Sequence, residues 1–162
     1  MIKKFELDLS SKITILGVEL FRIKALISFG NVEKGELGGY VEKEDNLSHS
    51  GDAWVSGNAR VSGNAEVSGN ARVYGDAWVS GNAEVYGNAE VSKLNDYILF
   101  KNTWSSGRCF TYTKSNKMWK VGCFYGTGEE LVKKAYEDSE KSGKHYEAYV
   151  NFVKTLEALD EN

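Results

Sequence analysis

The chain has 162 residues, 41% of them hydrophobic, with a formal net charge of −3. This suits a globular chain of one domain or two small ones, and an acidic balance without a basic run argues against duplex nucleic acid or an anionic membrane as partner. No apolar run approaches the ~20 residues of a membrane span, and the opening Met1-Ile2-Lys3-Lys4-Phe5-Glu6 lacks a signal-peptide core, so the expected compartment is the cytoplasm.

Residues 1–28 predict a β-hairpin cap, in which Lys12-Ile13-Thr14-Ile15 and Glu19-Leu20-Phe21-Arg22-Ile23 flank a tight turn at Gly17. From Phe29 to Leu47 the glycines at 30, 35, 38 and 39, with Val32, Leu37, Val41 and Leu47, suggest one irregular coil. The step from Leu47 to Val55 is eight, which predicts a small outward loop around Ser48-His49-Ser50. Valines then recur every six residues at 55, 61, 67, 73, 79, 85 and 91, each unit reading Gly-Asn/Asp-Ala-x-Val-Ser/Tyr. A step of six fits a short strand followed by a two-residue corner. Ala and Val, two apart, share one face and fill a bore, while x and Ser/Tyr face outward. Gly and Asn/Asp take the corner, where positive φ is needed.

Three such units make one coil of about eighteen residues, so positions eighteen apart stack at ~4.8 Å. A first side then carries Trp54, Arg72 and Glu90 beside Ser56, Tyr74 and Ser92; a second stacks Arg60 on Trp78; a third stacks Glu66 on Glu84 beside Ser68 and Tyr86. Arg60 over Trp78 is a cation–π pair, whereas Glu66 over Glu84 places like charges in register and calls for a cation from solvent, a ligand or another subunit's Arg60. Outward aromatics on a rigid face suggest an oligomer interface built from Trp54, Arg60, Glu66, Arg72, Tyr74, Trp78, Glu84 and Tyr86. The bland alternative is that these rings cover their own chain.

After Lys93-Leu94-Asn95 the pattern changes. Tyr97–Thr103, Arg108–Lys114 and Lys117–Tyr125 read as three antiparallel strands. Thr127-Gly128-Glu129-Glu130 is a capping box that opens a helix, Gly143 is expected to end it, and Tyr146, Tyr149, Val150 and Val153 form the apolar stripe of a second helix from about Lys144 to Leu159. The expected fold is mainly β: a left-handed parallel β-helix over 29–95, with an N-terminal hairpin cap over 1–28 and a small α+β module of β3α2 type over 96–162.

The hexapeptide run resembles the left-handed β-helix family. With Phe29-Gly30-Asn31-Val32, Leu37-Gly38-Gly39-Tyr40-Val41 and Asn102-Thr103-Trp104-Ser105-Ser106-Gly107-Arg108 around it, the chain looks most like hexapeptide-repeat proteins of bacteriophages and prophages, which often carry a transferase label. The resemblance implies a homotrimer and, for phage proteins, interference with a host process, for example by sequestering a nucleotide-like immune signal.

Chemistry is sparse. Carbonic anhydrases of the fold need three histidines, and this chain has only His49 and His145. Acyltransferases of the fold use a histidine base, for which His49 is the candidate, although no carboxylate stands at a readable spacing from it. No metal site or cofactor is expected: Cys109 and Cys123 lack ligand spacing and read as reduced thiols. The glycine-rich run Gly122–Gly128 has no lysine and is followed by Glu129-Glu130, so a turn explains it better than a phosphate loop. The most suggestive polar group is Trp104, Ser105, Ser106, Arg108 and Lys114, which would hold a small anionic ligand by stacking, hydroxyl bonds and charge; an ordinary β-turn with Trp104 under a helix is the competing reading. The leading expectation is a non-catalytic oligomeric binding protein. An acyl-CoA-dependent acyltransferase and a structural adaptor for a host protein are the alternatives.

Overall fold

The computed structural model describes residues 2–161. The hexapeptides form seven two-residue strands, β4 (Trp54–Val55), β5 (Arg60–Val61), β6 (Glu66–Val67), β7 (Arg72–Val73), β8 (Trp78–Val79), β9 (Glu84–Val85) and β10 (Glu90–Val91). They pair in parallel eighteen residues apart: Trp54 with Arg72 and Arg72 with Glu90, Arg60 with Trp78, Glu66 with Glu84. The alanines and valines of every unit are buried in the bore. At the corners the glycines from Gly57 to Gly87 take φ between 62 and 68°. They also stack closely: a Cβ on Gly69 would lie 2.9 Å from the Gly87 nitrogen, so a side chain is excluded by space as well as by φ.

This is a β-solenoid stack, though not one uniform helix standing apart from a cap. β1 (Phe5–Ile15) and β2 (Val18–Ala25) form the hairpin, and β3 (Leu37–Val41) joins them to β5 and β8 in a mixed five-stranded sheet. The other two sides are a three-stranded sheet, β10-β7-β4, and a two-stranded one, β6-β9. β3 can carry both neighbours because Gly38 and Gly39 let the backbones close up. A Cβ on Gly38 would stand 2.5 Å from Ile23 and from the Val55 oxygen, and one on Gly39 2.7 Å from the Ala59 oxygen.

At the corners and strand flanks the inter-coil bonds share a direction: a coil donates its N–H groups to carbonyls of the next, as in Trp54 N to Ala71 O and Arg72 N to Ala89 O. At those positions the first coil offers carbonyls and the last offers N–H groups that need partners elsewhere. Donors meet the first set. Lys4, 1% exposed, places its Nζ 3.2 Å from Gly51 O and 2.8 Å from Ala53 O. Buried Asn46 donates from Nδ2 to Gly63 O and Ala65 O at 3.1 and 2.8 Å, and β3 serves the second side through Tyr40 N and Glu42 N. Acceptors meet the other set: Thr111 Oγ1 for Glu84 N, Ser115 Oγ for Glu90 N, and the Asp96 carboxylate for Ser92 N.

The C-terminal part departs from the predicted three strands. Gly122, at φ 55°, splits the third into β13 (Met118–Val121) and β14 (Phe124–Gly126), so the sheet is β11 (Tyr97–Lys101), β12 (Cys109–Thr113), β13, β14 in order. Helix α1 (Gly128–Asp138) starts at the Thr127 capping box, and α2 spans Glu140–Asp160. Gly143 does not end a helix. It lies inside α2, where a Cβ would collide with the Tyr136 ring, and the break falls instead at Ser139, whose backbone is extended and whose hydroxyl caps α2. Tyr146, Val150 and Val153 pack on Phe110, Tyr112 and Trp119 in a second buried cluster.

Lys4 makes the coil-end requirement measurable. Burial lowers its pKa to about 8 from 10.5, partly opposed by Asp52. Between those values the unfolded chain binds the extra proton, so Lys4 makes stability rise with pH over that window. Lys4→Met should lower stability at pH 7 by about 1–3 kcal/mol, because two carbonyls lose their donor, and should remove the wild-type rise between pH 8 and 10.5 in urea denaturation. An unchanged midpoint at pH 7 would show that these carbonyls need no donor.

Candidate functional site

The outward residues of the stack fall into distinct environments. On the first side Trp54 is only 5% exposed: Phe29 meets it edge-on at 5.3 Å, and Gly38 leaves room for its indole. The arm before β3 thus covers it, and the expectation that Trp54 is an open interface ring is corrected. Beside it Tyr74 is 40% exposed, and Arg72 and Glu90 reach solvent. Trp54, Arg72, Glu90, Ser56 and Tyr74 line a cleft of about 310 Å³ whose other wall is Asn31, Val32 and Asp52.

On the second side the Arg60 guanidinium lies 5.6 Å from the Trp78 ring centre, and Trp78 Nε1 donates to Ser62 Oγ at 2.8 Å. The ladder continues upward through Tyr40, which Arg22 covers at 4.5 Å. Arg60 forms no ion pair among the described residues. On the third side Tyr86 is not an open ring: it packs edge-on against Tyr125 at 4.9 Å, with Lys120 Nζ 5.1 Å above it. Here the reading in which rings touch their own chain prevails.

The Glu66–Glu84 conflict is partly offset inside the chain at one of its two members. Burial raises the Glu84 pKa; Lys120 opposes that, Glu66 adds to it, and Arg108 opposes it again. The C-terminal sheet therefore brings the cations, and Arg60 of a second subunit is not needed for Glu84. Glu66 stays exposed and without an ion pair among the described residues.

The predicted ligand group comes apart. Trp104 is half-buried against α2, stacked on His145 at 4.5 Å and on Tyr149 at 5.8 Å, so its ring is committed to the chain's own aromatic side chains. Ser105 N and Trp104 N donate to Asn102 Oδ1, and Arg108 N to Ser106 Oγ, which makes the segment a self-bonded turn. Lys114 pairs with Asp160 at 3.3 Å. Arg108 points elsewhere: its guanidinium lies over Gly122 and lines a cleft of about 240 Å³ with Cys123, Phe124, Lys134, Asp138 and Tyr146. Residue types were readable from sequence, but all five lie outside the strands, in the turn between β11 and β12 or just after β12, and their separate contacts there send them to different surfaces.

His49 is likewise committed. Its Nδ1 accepts the Lys4 N–H at 3.0 Å, its Nε2 lies 2.7 Å from the Glu44 carboxylate, and its ring stacks on Phe5 at 4.3 Å. The accepted bond at Nδ1 puts the proton on Nε2, which donates to Glu44. That bond, ahead of Lys3, holds the Glu44 pKa below the usual carboxylate range. The predicted outward loop is turned inward, a carboxylate partner does exist, and neither nitrogen is free to act as a base. Asn46 and Lys4, missed from sequence, carry no motif: their roles exist only where the chain crosses the coil end.

Comparison with known proteins agrees on the repeat. The family described as YdcK β-solenoid repeat matches residues 53–68 and again 65–81. No curated protein sequence matches the chain. The chain is mainly β and carries a β-solenoid type of repeat. Among the described residues no helix is long and apolar enough to cross a membrane, and no group of three or more His, Cys, Asp and Glu is placed to hold a metal ion.

Two outcomes test these assignments. Because the Glu84 pKa is raised, the folded state holds the extra proton just above pH 4.5, and the residue's contribution to stability falls as pH rises through that range. Glu84→Gln should therefore be more stable than the parent at pH 7, by less than about 1 kcal/mol, with the difference vanishing near pH 4 in denaturant titrations. Trp104→Ala should cost about 2–4 kcal/mol in the same measurement, since the ring fills space under α2; full stability would return Trp104 to the list of ligand groups.

Proposed function

We propose that the protein is a non-catalytic binding protein built on a left-handed parallel β-helix and assembled as a homotrimer. The observation that carries this is the distribution of charge over the solenoid sides. Arg60 stands on the second side with only a ring beneath it, and Glu66 on the third without an ion pair among the described residues. A threefold arrangement in which the second side of each subunit meets the third side of the next pairs them three times over, and a heterologous contact of this kind closes into a ring. The resemblance to phage and prophage repeat proteins supports the same assembly, and with it a role in interference with a host process.

A non-catalytic reading is favoured by the fully bonded His49, the only histidine beside the coils. For a small anionic ligand, support remains at Arg108, where Arg108 and Lys134 outweigh Asp138 around one cleft. The cytoplasm remains the compartment that this reading requires.

Native mass spectrometry tests the assembly. Wild type should appear as a trimer, Arg60→Glu and Glu66→Arg should each shift it to monomer, and the double variant should restore the trimer. Trimers in both single variants would remove the charge pairing from the interface, and monomeric wild type would remove the assembly itself.

A further inference from the structure

We propose that the cleft on the first side of the solenoid binds a zwitterionic small molecule of the α-amino-acid type, with one carboxylate, one ammonium and an apolar side chain. The inference does not depend on threefold assembly. In the arrangement above the second and third sides meet, and the first faces outward.

The floor of the cleft is the ladder Trp54, Arg72, Glu90, held in register by parallel pairing, with Ser56 and Tyr74 alongside. Its opposite wall is Asn31 and Val32 from the arm before β3, with Asp52 at the corner of the first coil. Arg72 and Glu90 are directly paired backbone partners on adjacent strands, yet their side chains form no ion pair, and neither has another charged partner among the described residues. Opposite charges at such a spacing ordinarily pair. Left apart, they present a guanidinium and a carboxylate to the same cavity.

The charge pattern selects the ligand. The lining holds one guanidinium and two carboxylates, Asp52 and Glu90, and Lys4 offsets Asp52, so the cleft is close to neutral and carries both signs, favouring neither a simple anion nor a simple cation. A zwitterion satisfies both: its carboxylate takes the fork of Arg72 and its ammonium takes Glu90 or Asp52. Val32, Tyr74 and the covered face of Trp54 supply apolar walls for a side chain, and Ser56 and Asn31 add hydrogen-bonding capacity. The volume of about 310 Å³ lies at the small end of ligand sites, the size of an amino acid rather than a dinucleotide. The lining also contains an unmet donor, since Trp54 Nε1 is buried and has no acceptor among the described residues.

The experiment is isothermal titration of the full chain with L-phenylalanine and L-leucine, beside phenethylamine, which lacks the carboxylate, and 3-phenylpropionate, which lacks the ammonium. At least one amino acid should bind, each truncated analogue should bind at least tenfold more weakly, and Arg72→Gln and Glu90→Gln should each weaken the amino acid tenfold or more while circular dichroism stays unchanged. No heat with either amino acid at millimolar concentration would overturn the proposal. So would equal binding of 3-phenylpropionate, which makes the site a simple anion site, or full affinity in Arg72→Gln. Native mass spectra of the same samples separate the two readings: binding without a trimer leaves this site standing and sinks the assembly, and a trimer without binding does the reverse.

Discussion

A solenoid stack ends in backbone groups that no further coil can pair, and the rest of this molecule answers to that. At the corners and strand flanks the inter-coil bonds run from an N–H of one coil to a carbonyl of the next, so there the first coil offers carbonyls and the last offers N–H groups. Neither end can be left bare, because an unpaired buried backbone group costs about as much as the bonds gained. The solution is chemically matched. A lysine and an asparagine amide meet carbonyls of the first coil, and hydroxyls and a carboxylate meet N–H groups of the last. Burying Lys4 is costly in itself, which its lowered pKa reports, and the cost is accepted because an ammonium serves two carbonyls at once and lies 4.6 Å from the centre of the Phe29 ring.

The same caps explain why the polar residues of this chain carry so little catalytic promise. His49 links Lys4 to Glu44, Thr111 and Ser115 serve the last coil, and Asn102 closes a turn. Each belongs to a type that does chemistry elsewhere; here each is occupied by structural hydrogen bonds, most of them to backbone. Among the charged groups without an ion pair, Arg60, Glu66, Arg72 and Glu90 sit on the flat sides of the stack, where a rigid backbone spaces them at one strand interval. Recognition, not turnover, is what fixed charges on a rigid surface do well.

Flanking segments also decide which surfaces remain open. The arm around Phe29 buries Trp54 and makes one wall of the first-side cleft, while Tyr125 and Lys120 cover Tyr86 and Lys120 partly offsets the charge of Glu84. A bare solenoid of this sequence would show four outward aromatics and a repulsive glutamate pair. The folded chain keeps Tyr74 and part of Trp78 open and leaves one glutamate unmatched.

By itself the sequence determined the coil. A valine every sixth residue, alanine two before it and glycine at each corner admit one arrangement, because bore size, strand alternation and positive φ repeat with the same period, so the registers Trp54–Arg72–Glu90, Arg60–Trp78 and Glu66–Glu84 follow by counting. The Thr127 capping box and the stripe on α2 were legible for the same reason: local geometry fixes them. Only the tertiary structure decided what meets the coil. The fourth strand turned on the conformation of Gly122, and the place of Gly143 inside α2 on its contact with Tyr136. The dispersal of Trp104, Arg108 and Lys114 depended on their separate contacts with α2, Gly122 and Asp160. The roles of Lys4 and Asn46 depended on where a non-repeating segment crosses the end of a repeating one. Such contacts join residues far apart in the chain, and no periodicity encodes them.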